Sequence, residues 1–344
     1  MWERDDRSGE RGFSLIEATV TLVLLSMSMA LFYDMMLSSL RTSMFTESHN
    51  DMYAIGQRVA NTIHTEVIQS KLVFQEDTLG GAYRDRFNTS LPTGITPWST
   101  NRMPIIDSNT TVLGVDPGPN SITNRTGNSL LIARQLAPIG VSWDNDNNNG
   151  TANVTFLADR YQFEYVFLRS NTSRNFAGLG YYFDVVMAKS QIFADYFQLN
   201  GIAVNKAQVV ANVRSVGGIT SAWDPGKALA TPAFYDMSSG GALTGNATPT
   251  FTLTVKSLVP EFVGGRIGGK MEYSVAPNPT STIKFKDAVP MYATSATNFP
   301  EGLEFQIVGA SGTRKVLTRI VLASTYAKNF ASQEAAVVSS ARGF

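Results

Sequence analysis

Residues 12–37, GFSLIEATVTLVLLSMSMALFYDMML, constrain this 344-residue chain more than any other stretch. From Phe13 to Leu37 the side chains are apolar, small or aromatic, broken only by the acids Glu17 and Asp34. Ala, Leu and Met favour helix, and no Pro or Gly interrupts the run after Gly12. At about 1.5 Å per residue, a helix of that length spans a bilayer core of about 30 Å. Glu17 is the odd residue. A carboxylate inside an apolar helix costs several kcal/mol unless a partner meets it, so it reads as functional. A secretory signal peptide fits poorly, because the run is longer than an h-region of about 7–15 residues and no small-x-small site follows Leu37 cleanly. A plain signal anchor, in which GFSLIE occurs by chance, is the other alternative.

Arg11-Gly12-Phe13-Ser14-Leu15-Ile16-Glu17 resembles the processing and methylation motif of type IV pilins and secretion-system pseudopilins. The resemblance implies cleavage by a membrane peptidase after Gly12, N-methylation of the new terminus at Phe13, and a requirement for Glu17 in filament assembly. The physics agrees. Cleavage leaves a positive amine at the edge of an apolar helix, about one turn from Glu17, where a neighbouring subunit's amine can pair with the acid. Removing one partner of such a buried pair costs roughly 3–5 kcal/mol, so the pair sets register more than it supplies affinity.

The implied domains are a cleaved leader (1–12), a transmembrane and assembly helix (13–70) and an extracytoplasmic β-rich head (71–344). The leader, MWERDDRSGERG, is less basic than is usual for the family, yet Arg4, Arg7 and Arg11 still favour a cytoplasmic N-terminus. The chain would be a single-pass inner-membrane protein, later periplasmic or on a surface filament. Beyond the lipid run, Leu37, Leu40, Met44, Met52, Ile55, Val59, Ile63 and Val67 recur mostly at helical spacing, and no Pro occurs before Pro92. One continuous helix is expected, its second half amphipathic and packed on the head. Asp34 reads as a snorkelling interface residue. His49 and His64 read as solvated helix positions.

Composition bounds the rest. Net charge is zero and charged residues are 16%. Without a basic imbalance, nucleic acid is not an expected partner. There is no cysteine, which excludes disulfides and thiolate metal sites and departs from the Cys pair of many pilins. After about residue 71, loops and short strands are expected through 128, then strands near 129–133, 153–158, 161–168, 181–188, 250–259, 270–275, 282–286, 303–308 and 314–323. Residues 192–213 are ambiguous between strand and helix. Residues 215–249 read as a long loop, and the tail from 327 as frayed. The fold class expected is α+β: a long N-terminal helix against antiparallel sheet, as in pilins. The large head resembles those of minor pilins or minor pseudopilins, which sit at or near a filament tip.

Two loops invite chemistry. Asp144, Asp146 and Asn148 alternate in DNDNNNG and could offer oxygens to calcium, with Asp159 as a further ligand. The EF-hand places for Gly and Glu hold Asn149 and Thr155, so that pattern fails, and a polar turn is the plainer alternative. Residues 264–271, GGRIGGKM, approach a phosphate loop but end in Met271 and lead into a strand-like run, so a glycine-rich hairpin is expected. The aromatic runs 161–167 and 181–183 are expected to be core, with a glycan or partner surface as the alternative. No GxSxG or HExxH occurs, and two helix histidines without cysteine leave no usual nucleophile–base set, so an enzyme is not expected. The expected role is a structural subunit that primes or caps a type IV pilus or type II secretion pseudopilus. Its partners would be other pilins or pseudopilins, prepilin peptidase and the inner-membrane platform. The alternative is a tip adhesin or DNA-uptake module.

Overall fold

The computed structural model describes residues 14–98, 101–109, 126–146, 151–171, 182–227, 233–237, 240–259, 262–266, 269–275, 302–326 and 329–341. They form two compact units, Met1–Ser48 and His49–Phe344.

The described part of the first unit is almost all helix. α1 runs over Leu15–Ile68, and its residues up to 48 belong here. Large apolar side chains from Leu15 to Met36 lie bare, Leu22 at 69% and Phe32 at 75% exposure. The helix is long and apolar enough to cross a membrane. Asp34 is exposed on it.

The second unit begins with the rest of α1 and continues β1 (Ser70–Val73), α2 (Thr78–Ser90), β2 (Leu130–Trp143), β3 (Val154–Asn171), β4 (Tyr182–Asp195), α3 (Tyr196–Asn200), α4 (Lys206–Gly217), β5 (Ser221–Trp223), β6 (Phe234–Met237), β7 (Leu243–Asn246), β8 (Thr254–Ser257), β9 (Phe262–Arg266), β10 (Gly269–Val275), β11 (Leu303–Val308), β12 (Lys315–Tyr326) and β13 (Asn329–Ser340). One sheet runs β1-β2-β3-β4-β5-β6-β7, with β8 also on β4. Its neighbours are antiparallel except β4 and β5, which are parallel. A crossover is what a parallel pair requires, and α3 and α4 lie between them in the chain. In the second sheet β12 takes β11 and β10 end to end on its pairing edges and β13 along its whole length. The α+β plan with a long helix and a mainly antiparallel sheet is what the sequence led us to expect.

Strand periodicity sorts the first sheet into two faces. Leu130, Ile132, Val166, Leu168, Val185 and Met187 join Met52, Ile55, Val59, Ile63 and Val67 of α1 in an aliphatic core, together with Phe305, Ile307, Ile320 and Leu322 of the second sheet. The alternate residues Leu131, Phe163, Tyr165 and Phe167 join Tyr83 and Phe87 of α2, with Trp223, Phe234 and Phe251, in an aromatic core. The aromatic run 161–167 is therefore core. Tyr182 and Phe183 are buried too, while Tyr181 is outside the described residues.

α1 and β13 meet along a narrow seam. His49 Nδ1 donates to Gln333 Oε1 at 3.0 Å, and His64 Nδ1 shares a 2.8 Å hydrogen bond with the Ser339 hydroxyl. Between them, a Cβ on Gly56 would stand 3.0 Å from Ala335 Cβ. Both histidines are thus half-buried and bonded, not the solvated positions their helical setting suggested. Near the end of α1, Glu66 accepts from Lys189 Nζ at 2.7 Å and from Arg134 Nη1 at 2.6 Å. Lys189 also reaches buried Glu164 at 2.8 Å.

Several expectations need correction. The tail from 327 is not frayed over Asn329–Ser340: β13 pairs with β12 through twelve consecutive partners, Lys315↔Ser340 to Tyr326↔Asn329, while 327–328 and 342–344 are outside the described residues. The stretch 75–128 contains α2, and 215–249 contains β5, β6 and β7. Residues 192–213 are strand to Asp195, then helix. The short runs 153–158 and 161–168 are one strand, β3. The expected strand 282–286 lies outside the described residues.

Candidate functional site

α1 starts with a reciprocal cap. Ser14 stands just ahead of the first helical residue, where the leading backbone N–H groups have no partner within the helix. The Ser14 hydroxyl accepts from the Glu17 N–H at 3.2 Å, and the Ser14 N–H donates to Glu17 Oε2 at 3.0 Å. This is a capping box, Ser-x-x-Glu, and it places the acid at the positive end of the helix dipole. Glu17 thus has an intrachain partner at the apolar entry to the helix. Gly12 and Phe13 lie outside the described residues. Thr19 and Thr21 return their hydroxyls to the carbonyls of Leu15 and Glu17 at 2.7 Å, so these polar side chains also present no free donor along the first turns.

Ser14 is the residue that sequence reasoning missed. The spacing of Ser14 and Glu17 was the signal, readable as a helix start as well as part of a processing motif.

The Asp/Asn turn is divided. Asp144 is buried; its N–H donates to Gln208 Oε1 at 2.9 Å and its carbonyl accepts from Asn205 Nδ2 at 3.0 Å, which anchors the end of β2 to the start of α4. Asp146 is exposed, and Asn148 is outside the described residues. Asp159 is engaged elsewhere, accepting from Gln198 Nε2 at 2.6 Å. Among the described residues no three His, Cys, Asp or Glu side chains are grouped to hold a metal. Of the glycine-rich 264–271 segment, residues 264–266 lie on β9 and 269–271 on β10, an antiparallel pair with a register shift between Gly269 and Met271, and 267–268 are outside the described residues. Gly269–Val275, where a phosphate loop would open a helix, is strand.

Residues 7–33 match the model of the prokaryotic N-terminal methylation motif. This is the signal motif of type IV pilins and pseudopilins, and the chain carries the mark of a pilin-like precursor processed by prepilin peptidase. No curated protein and no solved structure matches the chain.

Proposed function

We propose that the chain is a minor pilin or minor pseudopilin, a structural subunit rather than a catalyst. On this reading residues 1–12 are removed after Gly12, Phe13 is methylated, and residues 13–70 insert into the inner membrane from a cytoplasmic N-terminus. Residues 71–344 form the head outside the cytoplasm. Glu17 then meets the Phe13 amine of a neighbouring subunit, and the subunit primes or caps a type IV pilus or a type II secretion pseudopilus, raised by the inner-membrane platform. The observation that carries the reading is the methylation motif at 7–33, set on a helix whose apolar side chains from Leu15 to Met36 are bare. The breadth of the second unit supports a minor over a main subunit, because a shaft must tile every copy and a bulky head is hard to repeat.

The test is the mature N-terminus and one variant. In cells with a working prepilin peptidase, mass spectrometry should find the native protein beginning at methylated Phe13. Glu17→Ala should still be cleaved yet fail to enter filaments. A native protein that begins at Met1, or a Glu17→Ala subunit that enters filaments normally, overturns the assignment. Calcium at Asp144, Asp146 and Asn148 is a separate proposal, resting on their alternation. Calorimetric heat with calcium that Asp146→Ala loses supports it, and no heat at millimolar metal rejects it.

A further inference from the structure

A cleft of about 570 Å³ opens beside α2. That volume lies within the range of small-ligand sites, about 300–1,000 Å³. Arg84, Asp85 and Asn88 line one side from neighbouring turns of α2; Ile95, Pro97 and Trp98 face into it from the chain beyond the helix. Tyr165 of β3, wholly buried, closes the floor. Burial pushes the Tyr165 hydroxyl up to about 12, so it stays protonated across the physiological range.

The walls are fixed in place. The Trp98 backbone N–H donates to the Leu168 carbonyl at 2.7 Å, and the Trp98 ring meets Phe183 edge-on at 5.1 Å between centroids. Asn101 donates from Nδ2 to the same Leu168 carbonyl at 2.7 Å. Its Oδ1 is buried and accepts no hydrogen bond among the described residues. A buried acceptor without a donor is costly, and a ligand hydroxyl is one group that would meet it.

Charge decides the class of ligand. Glu76, within the wall, accepts from Arg84 Nη1 at 2.5 and 2.6 Å and from the Met103 N–H at 2.7 Å. The inner acid and the inner base therefore neutralise each other and are locked together. An anion would find that guanidinium occupied and Asp85 beside it. Among the described lining residues a cation would find only Asp85 outside the inner pair, its side chain 71% exposed at the rim, where ion pairs contribute little. Among the described lining residues what remains open is neutral: the Asn88 amide, the Asn101 Oδ1 and Thr96, with the apolar Ile95 and Pro97 and the rings of Trp98 and Tyr165. A sugar ring has this division, hydroxyls around its edge and C–H groups on its faces. We infer that the cleft beside α2 binds a neutral hexose, alone or as the end of a glycan.

The inference does not rest on the filament reading, since the cleft lies wholly within the second unit and a chain that never polymerised would keep it. The test uses full-length protein in a detergent without a sugar headgroup. Saturation-transfer NMR is run with glucose, galactose, mannose and N-acetylglucosamine, and with choline and inorganic phosphate as the charged probes. Transfer to at least one sugar and to neither ion is expected. Asn88→Ala, at an exposed helix position that leaves the melting temperature unchanged, should weaken that sugar about tenfold. Trp98→Ala should abolish it. Transfer to none of the four sugars, a sugar signal that both variants retain, or a preference for choline or phosphate overturns the inference.

Discussion

Ser14 and Glu17 hold each other across the first turn of α1, hydroxyl to N–H at 3.2 Å and N–H to carboxylate at 3.0 Å. On the proposed reading this pair is the resting state of the assembly acid. Before a neighbour's amine arrives, the carboxylate is held by its own backbone instead of standing bare in lipid.

Ser14→Ala removes one arm of that cap, at a cost of about 1 kcal/mol to the first turn. Cleavage after Gly12 should persist, while the amount of subunit in sheared filaments should fall. Ser14→Thr should restore it, because threonine keeps the hydroxyl. Quantitative blotting of filaments, alongside the mass of the mature N-terminus, separates the two effects.

Lys189→Met should destabilise the second unit, but by less than the roughly 3–5 kcal/mol of a fully stranded buried partner, because Arg134 Nη1 remains 3.5 Å from the acid. Glu164 is 0% exposed and Lys189 lies 2.8 Å from it. Burial already holds the Glu164 carboxyl above the usual carboxylate range, against the pull of Lys189. Lys189→Met with Glu164→Leu should recover most of the loss. Thermal unfolding of the two variants in detergent measures this.

Asp184 supplies a pH dependence. Burial pushes its carboxyl up from 3.8 to about 6, opposed by Ser257 and Arg169. Between those values the folded protein binds more protons than the unfolded chain, so this group makes stability fall as pH rises from about 4 to about 6. The span corresponds to about 3 kcal/mol at most. Asp184→Asn should flatten that part of the profile. Subtracting its stability curve from the native one, over about pH 4 to 7, isolates the contribution.

Gly56→Leu should cost about 1–3 kcal/mol through overpacking. A Cβ at residue 56 already stands 3.0 Å from Ala335 Cβ, and the larger side chain would also meet Leu322. Gly56→Ala should be much milder, since alanine gains about 1 kcal/mol of helix propensity over glycine. Melting temperatures of both variants check the difference.

The sequence was most legible where one local signal ruled. The uninterrupted apolar run made α1 plain to within two residues at each end, and alternation found the aromatic face of β3. It was least legible where tertiary contacts overrode composition. β13 is NFASQEAAVVSS, small and polar, and is a strand because β12 pairs along all of it. α2 begins TLGG, with two glycines that discourage helix. The Asp77 side chain caps it at the Gly80 N–H, 2.7 Å away, and a Cβ on Gly80 would stand 2.0 Å from the Gln75 carbonyl. At the helix start, Glu17 was conspicuous as an acid in an apolar run, but its partner was not, because Ser14 looked like one more small residue of a processing motif.

The seam from His64 to Ser339 joins residues 275 positions apart in the chain. β13 must therefore leave the ribosome before that edge of α1 can be covered, whereas Leu130, Ile132, Val166 and Leu168, which join the Met52–Val67 stripe in one core, are made long before it. The helix thus gains its first cover early and its last only once β13 is made, so the side of α1 that faces β13 is open longest to wrong neighbours.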